Sequence, residues 1–436
     1  ISPFDTSNPL CSQSDVPLST PLSLTFSQKV SFQNTLGKTI RLYKTSDPST
    51  PIWSADPEPG IEGDGTDTVT FNNLPKLEPD SHYFLLSDQD WIKCGGKPVP
   101  AFNDGAFWFR FRTVANSSTT KTDKRPNIIL IYTDDHGWPD IGPAGIYSDL
   151  KTPHLDALAR SGVHVTNGYS TAPQCIPSRA GLLAGRDQNR FGVEGNGDAL
   201  TGFDSEDTVP ERLRKSGYVT AQVGKWHLGA PDQIGSHGFD YFYNKNRNAA
   251  CIGNFDLEGN TFPPRLIKHT TYHLEDCSNA ALAFIRKHKD DPFFLYLAYR
   301  APHVPLDAPK ALLDRFPGEM PERRRQALAM ISSMDDGVGA IVAELKNLNL
   351  TEDTLIFYIG DNGAPLKIHK IDAPGGGPGW DGSLNKPMNG EKGMLSEGGM
   401  RVPFLVSWPG TLPADTTYNH PLIALDATAT AAHLAG

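Results

Sequence analysis

The sequence predicts an α/β fold with a mostly parallel central sheet flanked by helices, preceded by an all-β sandwich. Three observations carry this prediction. Residues 1–115 break into short β-rich runs separated by Pro, Gly, Asp and Asn, with no long helical pattern between them. Residues 114–126, "VANSSTTKTDKRP", are polar and read as a linker. Beyond Pro126, apolar runs alternate with helical patterns, the signature of a parallel sheet with crossover helices.

The elements follow in order. "LSLTFSQKVSF", "TIRLYKT", "DTVTFNNL", "HYFLLSD" and "FWFRFRT" are short strands, and several alternate apolar and polar residues. Together they read as a sandwich over residues 1–117. "NIILIYTDD" is a continuous apolar run, as expected for a strand buried on both faces. "TPHLDALARSG" is an amphipathic helix stopped by glycine. "TVPERLRKSGYVTAQVGKW" reads as helix, glycine stop and strand. "NAALAFIRKHKDDPFFLYLAYR" repeats helix then strand, and so does "ALAMISSMDDGVGAIVAELKNLNLTEDTLIFYIGDNG". The α/β domain is thus expected over residues 118–436.

Bulk properties narrow the classes. The chain has 436 residues, enough for two or three domains, with 38% hydrophobic and 21% charged residues, as in ordinary globular proteins. No apolar stretch is long enough for a membrane span. The formal net charge of −10 argues against nucleic acid, and an anionic ligand would need a local basic cluster. The first residue is Ile1, which reads as a mature or trimmed chain. Five cysteines fit two disulfides plus one functional thiol in an oxidising compartment, with five buried thiols as the alternative.

Ligands in open α/β sheets gather at the carboxyl ends of the strands. There "NIILIYT" ends in Asp134-Asp135 and "TLIFYIG" in Asp361-Asn362. "YVTAQVG" leads to Lys225 and His227, and "FFLYLAYRAP" to His303. Three carboxylates and an amide are hard oxygen ligands and suit Ca²⁺ or Mg²⁺ better than zinc. One Asp-Asp pair alone would be read as a helix cap or turn; two acidic pairs after separate strands point to a metal. In "QCIPSRAGLLAGR", Pro177 places a helix start near Ile176–Pro177, with Cys175 at its N-terminus and Arg179 a turn later. A helix N-terminus attracts anions and acidifies a cysteine thiol. The alternative for Cys175 is a buried structural cysteine.

"CIPSRAGLLAGR" resembles the C-x-P-S-R-x-x-L-L-T-G-R signature of the type I sulfatases, within the alkaline phosphatase superfamily. "NIILIYTDDHGW", "GKWHLG", "APHVP", "IGDNG" and "EKGMLSEGGMRVP" resemble the family's other blocks, in order, over residues 126–436. The resemblance implies conversion of Cys175 to formylglycine by a formylglycine-generating or anaerobic sulfatase-maturing enzyme. The aldehyde hydrates, one hydroxyl attacks the ester sulfur, the alcohol leaves, and the second hydroxyl expels sulfate. It implies Ca²⁺ held by Asp134, Asp135, Asp361 and Asn362, with residue 175 completing the shell. Arg179 would orient the diol, and Lys225 and Lys392 would bind sulfate oxygens. His227 would assist release of sulfate, and His303, helped by Lys392, would protonate the leaving oxygen. Two departures stand out: Ser396 replaces the aromatic usual before "EGG", and the chain stops at Gly436 where the family continues into a small antiparallel subdomain, expected here as missing or truncated.

The first domain resembles bacterial Ig-like modules of the S-layer type, through "PLSLTFSQKV", "NNLPKLEPDSHYFLLSD" and "FWFRFRT". The polar rim segments "HGFDYFYNKNRNAACIGNF", which holds Asn244 and Arg247, and "LKIHKIDAPGGGPGWDGSLNKPMNG" suit a sugar, so a sulfated carbohydrate is the expected substrate. Asn244 and Arg247 are the expected rim contacts. A periplasmic or secreted bacterial enzyme of polysaccharide degradation is the expected setting. An arylsulfatase, a phosphonate or phosphodiester hydrolase, and a non-catalytic binder of sulfated glycans remain open. Disulfides are expected between Cys251 and Cys277, closing a long insertion, and between Cys11 and Cys94.

Overall fold

The computed structural model describes residues 125–268, 271–366 and 381–436, with discontinuous stretches between 13 and 113. The chain divides into two compact units, Ile1–Asp123 and Lys124–Gly436. In the first unit the described elements are all strands. Gln13–Val16, Phe109–Thr113, His82–Ser87, Ile40–Lys44 and Asp47–Ala55 form a five-stranded sheet in that order, beside two three-stranded sheets. Ile40, Leu42, Val69, Phe71, Tyr83, Leu85 and Trp91 make its core.

The second unit is built on one ten-stranded sheet. Its strands in chain order are β1 (Asn127–Asp134), β2 (Val163–Val165), β3 (Val219–Gly224), β4 (Tyr241–Asn244), β5 (Cys251–Phe255), β6 (Thr261–Ile267), β7 (Phe293–Pro302), β8 (Thr354–Gly360), β9 (Phe404–Ser407) and β10 (Thr416–Tyr418). The spatial order is β6-β5-β4-β3-β7-β1-β8-β9-β2-β10. Strands β4, β3, β7, β1 and β8 are parallel, and antiparallel partners extend the sheet on both sides. Every residue of β1, β7 and β8 is buried, which is why these strands read as unbroken apolar runs.

The helices cover both faces, so the two large apolar clusters lie on opposite sides of the sheet. They are α1 (Pro153–Arg160), α2 (Cys175–Ala184), α3 (Val209–Lys215), α4 (His273–Lys287), α5 (Glu322–Asn347) and α6 (Ala424–Ala435). Helix α3 starts with a capping box, in which Thr208 and Glu211 each satisfy the other's backbone N–H. Helix α2 ends at Gly185, whose φ of 65° places it in the left-handed region. Within α2, a Cβ on Gly181 would come within 2.7 Å of Gln188 Oε1 and 2.8 Å of Thr171 Oγ1, so only glycine lets this helix sit so close to its neighbours.

The expected disulfides are not present where the structure describes them. Cys175, Cys251 and Cys277 are buried thiols, and the expected Cys11–Cys94 pairing lies outside the described residues, since Cys11 does. The segment after Cys251 was read as an aperiodic insertion in need of closure. It is an ordered hairpin, β5 pairing antiparallel with β6, with Cys251 opposite Ile267. Ladder hydrogen bonds hold this hairpin. Meanwhile the Cys277 thiol faces the Lys245 carbonyl at 3.6 Å. Among the described residues, no helix is long and apolar enough to cross a membrane.

One buried ionic hub ties the loop after β1 to helix α5. Arg324 donates to both Asp140 oxygens at 2.9 Å, and its Nε and Nη2 reach Asp149 at 2.9 Å. Asp140 also accepts from Ser383 Oγ at 2.7 Å and from the Leu384 N–H at 2.9 Å. Breaking a buried pair strands its partner's charge. Arg324→Ala is therefore expected to destabilise the unit by about 3–5 kcal/mol, read as a lower urea midpoint by tryptophan fluorescence; a midpoint unchanged from wild type would refute the hub.

Candidate active site

Strand β1 ends in Asp134, and the chain turns at Asp135, whose φ of 58° is unusual for a non-glycine residue. That turn is held by neighbours. The Asp135 N–H donates to Asp361 Oδ1 at 3.1 Å, and Asn362 Nδ2 donates to Asp135 Oδ1 at 2.7 Å. Parallel pairing of β1 with β8, with Thr133 opposite Gly360, places the two acidic pairs side by side.

Cys175 is fully buried and is the first residue of α2, one to two residues earlier than Pro177 alone implied. Its Sγ is 3.2 Å from Asp134 Oδ1 and 3.1 Å from Lys392 Nζ. The thiol is not acidified. Burial and the carboxylates of Asp134 and Asp361 push it up to about 12, against Lys225 and Lys392. Desolvation and two anions outweigh a helix terminus at zero exposure.

Three cations complete the cluster. Arg179, fully buried, donates through Nη2 to Asp361 Oδ2 at 2.7 Å. Its Nη1 reaches Tyr296 Oη at 3.2 Å, and the guanidinium lies 5.5 Å from the Tyr132 ring. Lys225 Nζ pairs with Asp134 Oδ2 at 2.6 Å, and Lys392 Nζ with Asp135 Oδ1 at 2.5 Å. Burial opposes ionisation of Asp134, but Lys225, His303 and Arg179 hold its carboxyl well below the usual range. Asp361 goes the other way. Burial and the neighbouring Asp134 push it up to about 7 despite Arg179.

The histidines flank this cluster. His303 Nε2 lies 3.6 Å from Asp135 Oδ2, and its Nδ1 is 2.6 Å from the Val304 carbonyl. The ring is pushed down to about 4, by burial first. His227, an exposed residue with φ 62°, lies beside Lys225; partial burial of its ring and then Lys225 lower its pKa.

The structure thus brings Asp134, Asp135, Cys175, Arg179, Lys225, His303, Asp361, Asn362 and Lys392 into one contact network, with His227 beside it. It does not bring in Asn244 or Arg247. Asn244 ends β4, and Arg247 is exposed in the following loop. Arg300 links that loop to the cluster: it donates to the Asn246 carbonyl at 3.1 Å and lies 3.5 Å from His303 Nδ1. The sequence reading missed Tyr132, Tyr296 and Ser178. Tyr296 holds Arg179, and Tyr132 Oη bonds Ser178 Oγ at 2.7 Å. A tyrosine inside an otherwise apolar buried strand needs a partner for its hydroxyl, and that was the available signal.

The cluster fits a calcium ion. Asp135 Oδ2 and Asn362 Oδ1 are buried oxygens with no hydrogen-bond donor, in a site where three carboxylates crowd together. Buried lone pairs of that kind call for a cation. One donor atom from each of Asp134, Asp135, Cys175 and His303 lies within 4.8 Å of the others. Asp361 is more committed, since its two oxygens already accept from Asp135 N–H and Arg179.

A mostly parallel α/β sheet thus carries, at the ends of its strands, a buried cluster of three carboxylates and three cations around the first residue of a helix. The family model for sulfatases matches residues 126–436, and the chain belongs to the sulfatase family. It is 35% identical over 340 residues to N-acetylgalactosamine-6-sulfatase of Homo sapiens, across 71% of this chain and 62% of that protein. The chain therefore spans less than two thirds of that relative's length. The crystal structure of Ps i-CgsB in complex with k-i-k-neocarrahexaose is similar, with TM-score 0.61 and 34% identity over 72% of each chain. PsFucS1 sulfatase from Pseudoalteromonas sp. follows, with TM-score 0.60 and 27% identity over 72% of this chain and 68% of that one.

Two substitutions separate the oxygen ligands from the residues behind them. Asn362→Leu is expected to abolish calcium binding in titration calorimetry. Tyr296→Phe should keep calcium binding but lower turnover of any substrate by about 10–100-fold, because Arg179 loses an anchor. Equal calcium affinity in Asn362→Leu and wild type would remove Asn362 from the ligand set.

Proposed function

We propose that this protein hydrolyses sulfate esters of a sulfated carbohydrate, with residue 175 as nucleophile after its conversion to formylglycine. The observation that carries this reading is the position of residue 175. Its side chain is fully buried at a helix N-terminus, between Asp134 and Lys392, in a centre that gathers Arg179, Lys225 and Lys392 around three carboxylates. The converted residue would supply a hydrated aldehyde whose hydroxyl attacks sulfur; Asp134, Asp135, Asp361 and Asn362 would hold a Ca²⁺ ion, whose contribution when bound would be Lewis-acid polarisation of the sulfate.

The protein's own residues do the rest. Arg179, fixed by Asp361 and Tyr296, lies near enough for its charge to act on residue 175 and favours the ionised diol. Lys225 and Lys392 bind sulfate oxygens when substrate displaces their contacts with Asp134 and Asp135. His303 protonates the leaving alkoxide from Nε2 as the imidazolium, a charged form that the negative charge of a bound sulfate ester favours, and its Nδ1–H bond to the Val304 carbonyl fixes the ring. His227, on the exposed side, assists release of sulfate. Asn244 and Arg247 lie on the sugar-facing rim. The relatives named for sulfated sugars and bound oligosaccharide support a glycan substrate. A periplasmic or secreted bacterial setting, and an Ig-like first domain over residues 1–117 that spaces the catalytic domain from its polymer, complete the reading.

Mass spectrometry of the residue-175 peptide tests the conversion, and paired sulfate and phosphate esters test the reaction. Turnover of phosphate but not sulfate esters would assign a phosphonate or phosphodiester hydrolase, and binding without turnover a glycan-binding protein. Within the sulfatase reading, His303→Ala should lose about 10²–10⁴-fold on sugar sulfates and far less on an activated aryl sulfate, whose phenolate leaves without a proton. His227→Ala should slow both substrates alike. Equal losses on both substrates in His303→Ala would show that His303 is not the leaving-group acid.

A further inference from the structure

A loop outside the cluster grips the backbone on both sides of residue 175. Val193 is buried in the core, and residues 194–198 follow it as a mostly exposed turn. Asp198 closes this turn. Its Oδ2 accepts the N–H groups of Glu194 and Gly195, each at 2.7 Å, and its own N–H donates to the Gly195 carbonyl at 3.2 Å. The turn carries Asn196 to the start of helix α2. There Asn196 Oδ1 accepts the N–H of Ile176 at 3.0 Å, and the Asn196 N–H donates to Gln174 Oε1 at 2.9 Å. Gln174 directly precedes the helix, and its side chain gives the helix no cap of its own. Asn196 supplies the acceptor that a capping side chain would. Other anchors hold the chain further out. The Pro173 carbonyl accepts the N–H of Gly393, next to Lys392, at 2.8 Å, and Pro177, Ser178 and Arg179 are buried.

We propose that Asn196 is a positioning residue for residue 175: it clamps Gln174 and Ile176 so that the Cα–Cβ bond between them keeps one direction within the cluster. The inference rests on the nucleophile role proposed above. In formylglycine the reacting carbon is Cβ, bonded directly to Cα. No side-chain torsion can therefore correct the place of that carbon once the backbone has turned. A displacement of about 1 Å at a reacting centre can cost about 10²-fold in rate. Both hydrogen bonds of the clamp are exposed to water, so each adds little to the stability of the fold. Losing them acts on the placement of residue 175 and leaves the core as it was.

The test compares Asn196→Ala, which deletes the acceptor, with Asn196→Asp, which keeps it. In converted protein, kcat on an activated aryl sulfate is measured per mole of formylglycine found by mass spectrometry. It should fall about 10–100-fold in Asn196→Ala and return close to wild type in Asn196→Asp. The added aspartate charge opposes binding of an anionic ester, so it is read in KM and not in kcat. Calcium affinity by calorimetry and the urea midpoint should match wild type in both variants. In protein made without a maturing enzyme, Cys175 stays a buried thiol. Its alkylation by iodoacetamide in the native state should be about 3–10-fold faster in Asn196→Ala than in wild type or Asn196→Asp. Unchanged alkylation in Asn196→Ala, unchanged kcat per formylglycine, or a kcat loss that follows a lowered urea midpoint and persists in Asn196→Asp would overturn the proposal. If converted wild type hydrolyses no sulfate ester, the alkylation rates still decide the clamp, and that failure falls on the proposed activity alone.

Discussion

The structure of the second unit depends on the mutual neutralisation of charges buried at the ends of its central strands. Asp134, Asp135 and Asp361 are at most 1% exposed, and Arg179 and Lys225 at most 3%. The Lys392 side chain is 8% exposed. Any one of these ions taken alone would carry a desolvation penalty of several kcal/mol. They survive together because each carboxylate has a cation at 2.5–2.7 Å. The arrangement is still strained electrostatically. Asp361 is pushed up to about 7 by burial and Asp134, so the acids are crowded beyond what the cations relieve.

Sheet register makes this possible. β1 lies between β7 and β8, both parallel to it, so three neighbouring strands end at one level. Asp134 falls opposite Pro302, next to His303, and Thr133 opposite Gly360, next to Asp361. β3 flanks β7 with Gly224 opposite Ala298, and the Lys225 N–H donates to the Ala298 carbonyl at 2.8 Å. A Cβ on Gly224 would stand 2.1 Å from that carbonyl, and its φ of 95° excludes most other residues. Glycine there lets β3 turn Lys225 into the cluster. A shift of one residue in any of these pairings would carry a charged group to the wrong face of the sheet.

Much of this was legible because buried parallel strands are apolar without interruption, so the polar residues that follow them stand out. "NIILIYT", "YVTAQVG", "FFLYLAYRAP" and "TLIFYIG" announced both the sheet and the groups at its rim. The rest depended on distances that a sequence does not encode. The spacing of Cys251 and Cys277 is compatible with a bridge, yet the intervening hairpin is held by its own ladder. A helix N-terminus lowers a thiol's pKa, yet complete burial beside two carboxylates raises it. Arg324 and Asp140 lie 184 positions apart, and only the folded chain shows them as one hub. The composition of the segment that holds Asn244 and Arg247 carries no distance to the cluster.

The sign of the local charge decides what such a site can attract. The chain carries −10 overall, a field that opposes anions at long range. Inside the cluster three carboxylates meet three cations, so the formal sum is zero, and a divalent cation would bring it to about +2. An anionic ester entering that dry centre would exchange its hydration for fixed lysine and arginine donors, at short range and low dielectric. Attraction then acts only at short range, once the ligand has come up to the cluster. Capture of an anion over longer range must come from groups outside the cluster. Affinity for a polymer would therefore be set by surfaces outside the cluster, and the reaction by the cluster alone.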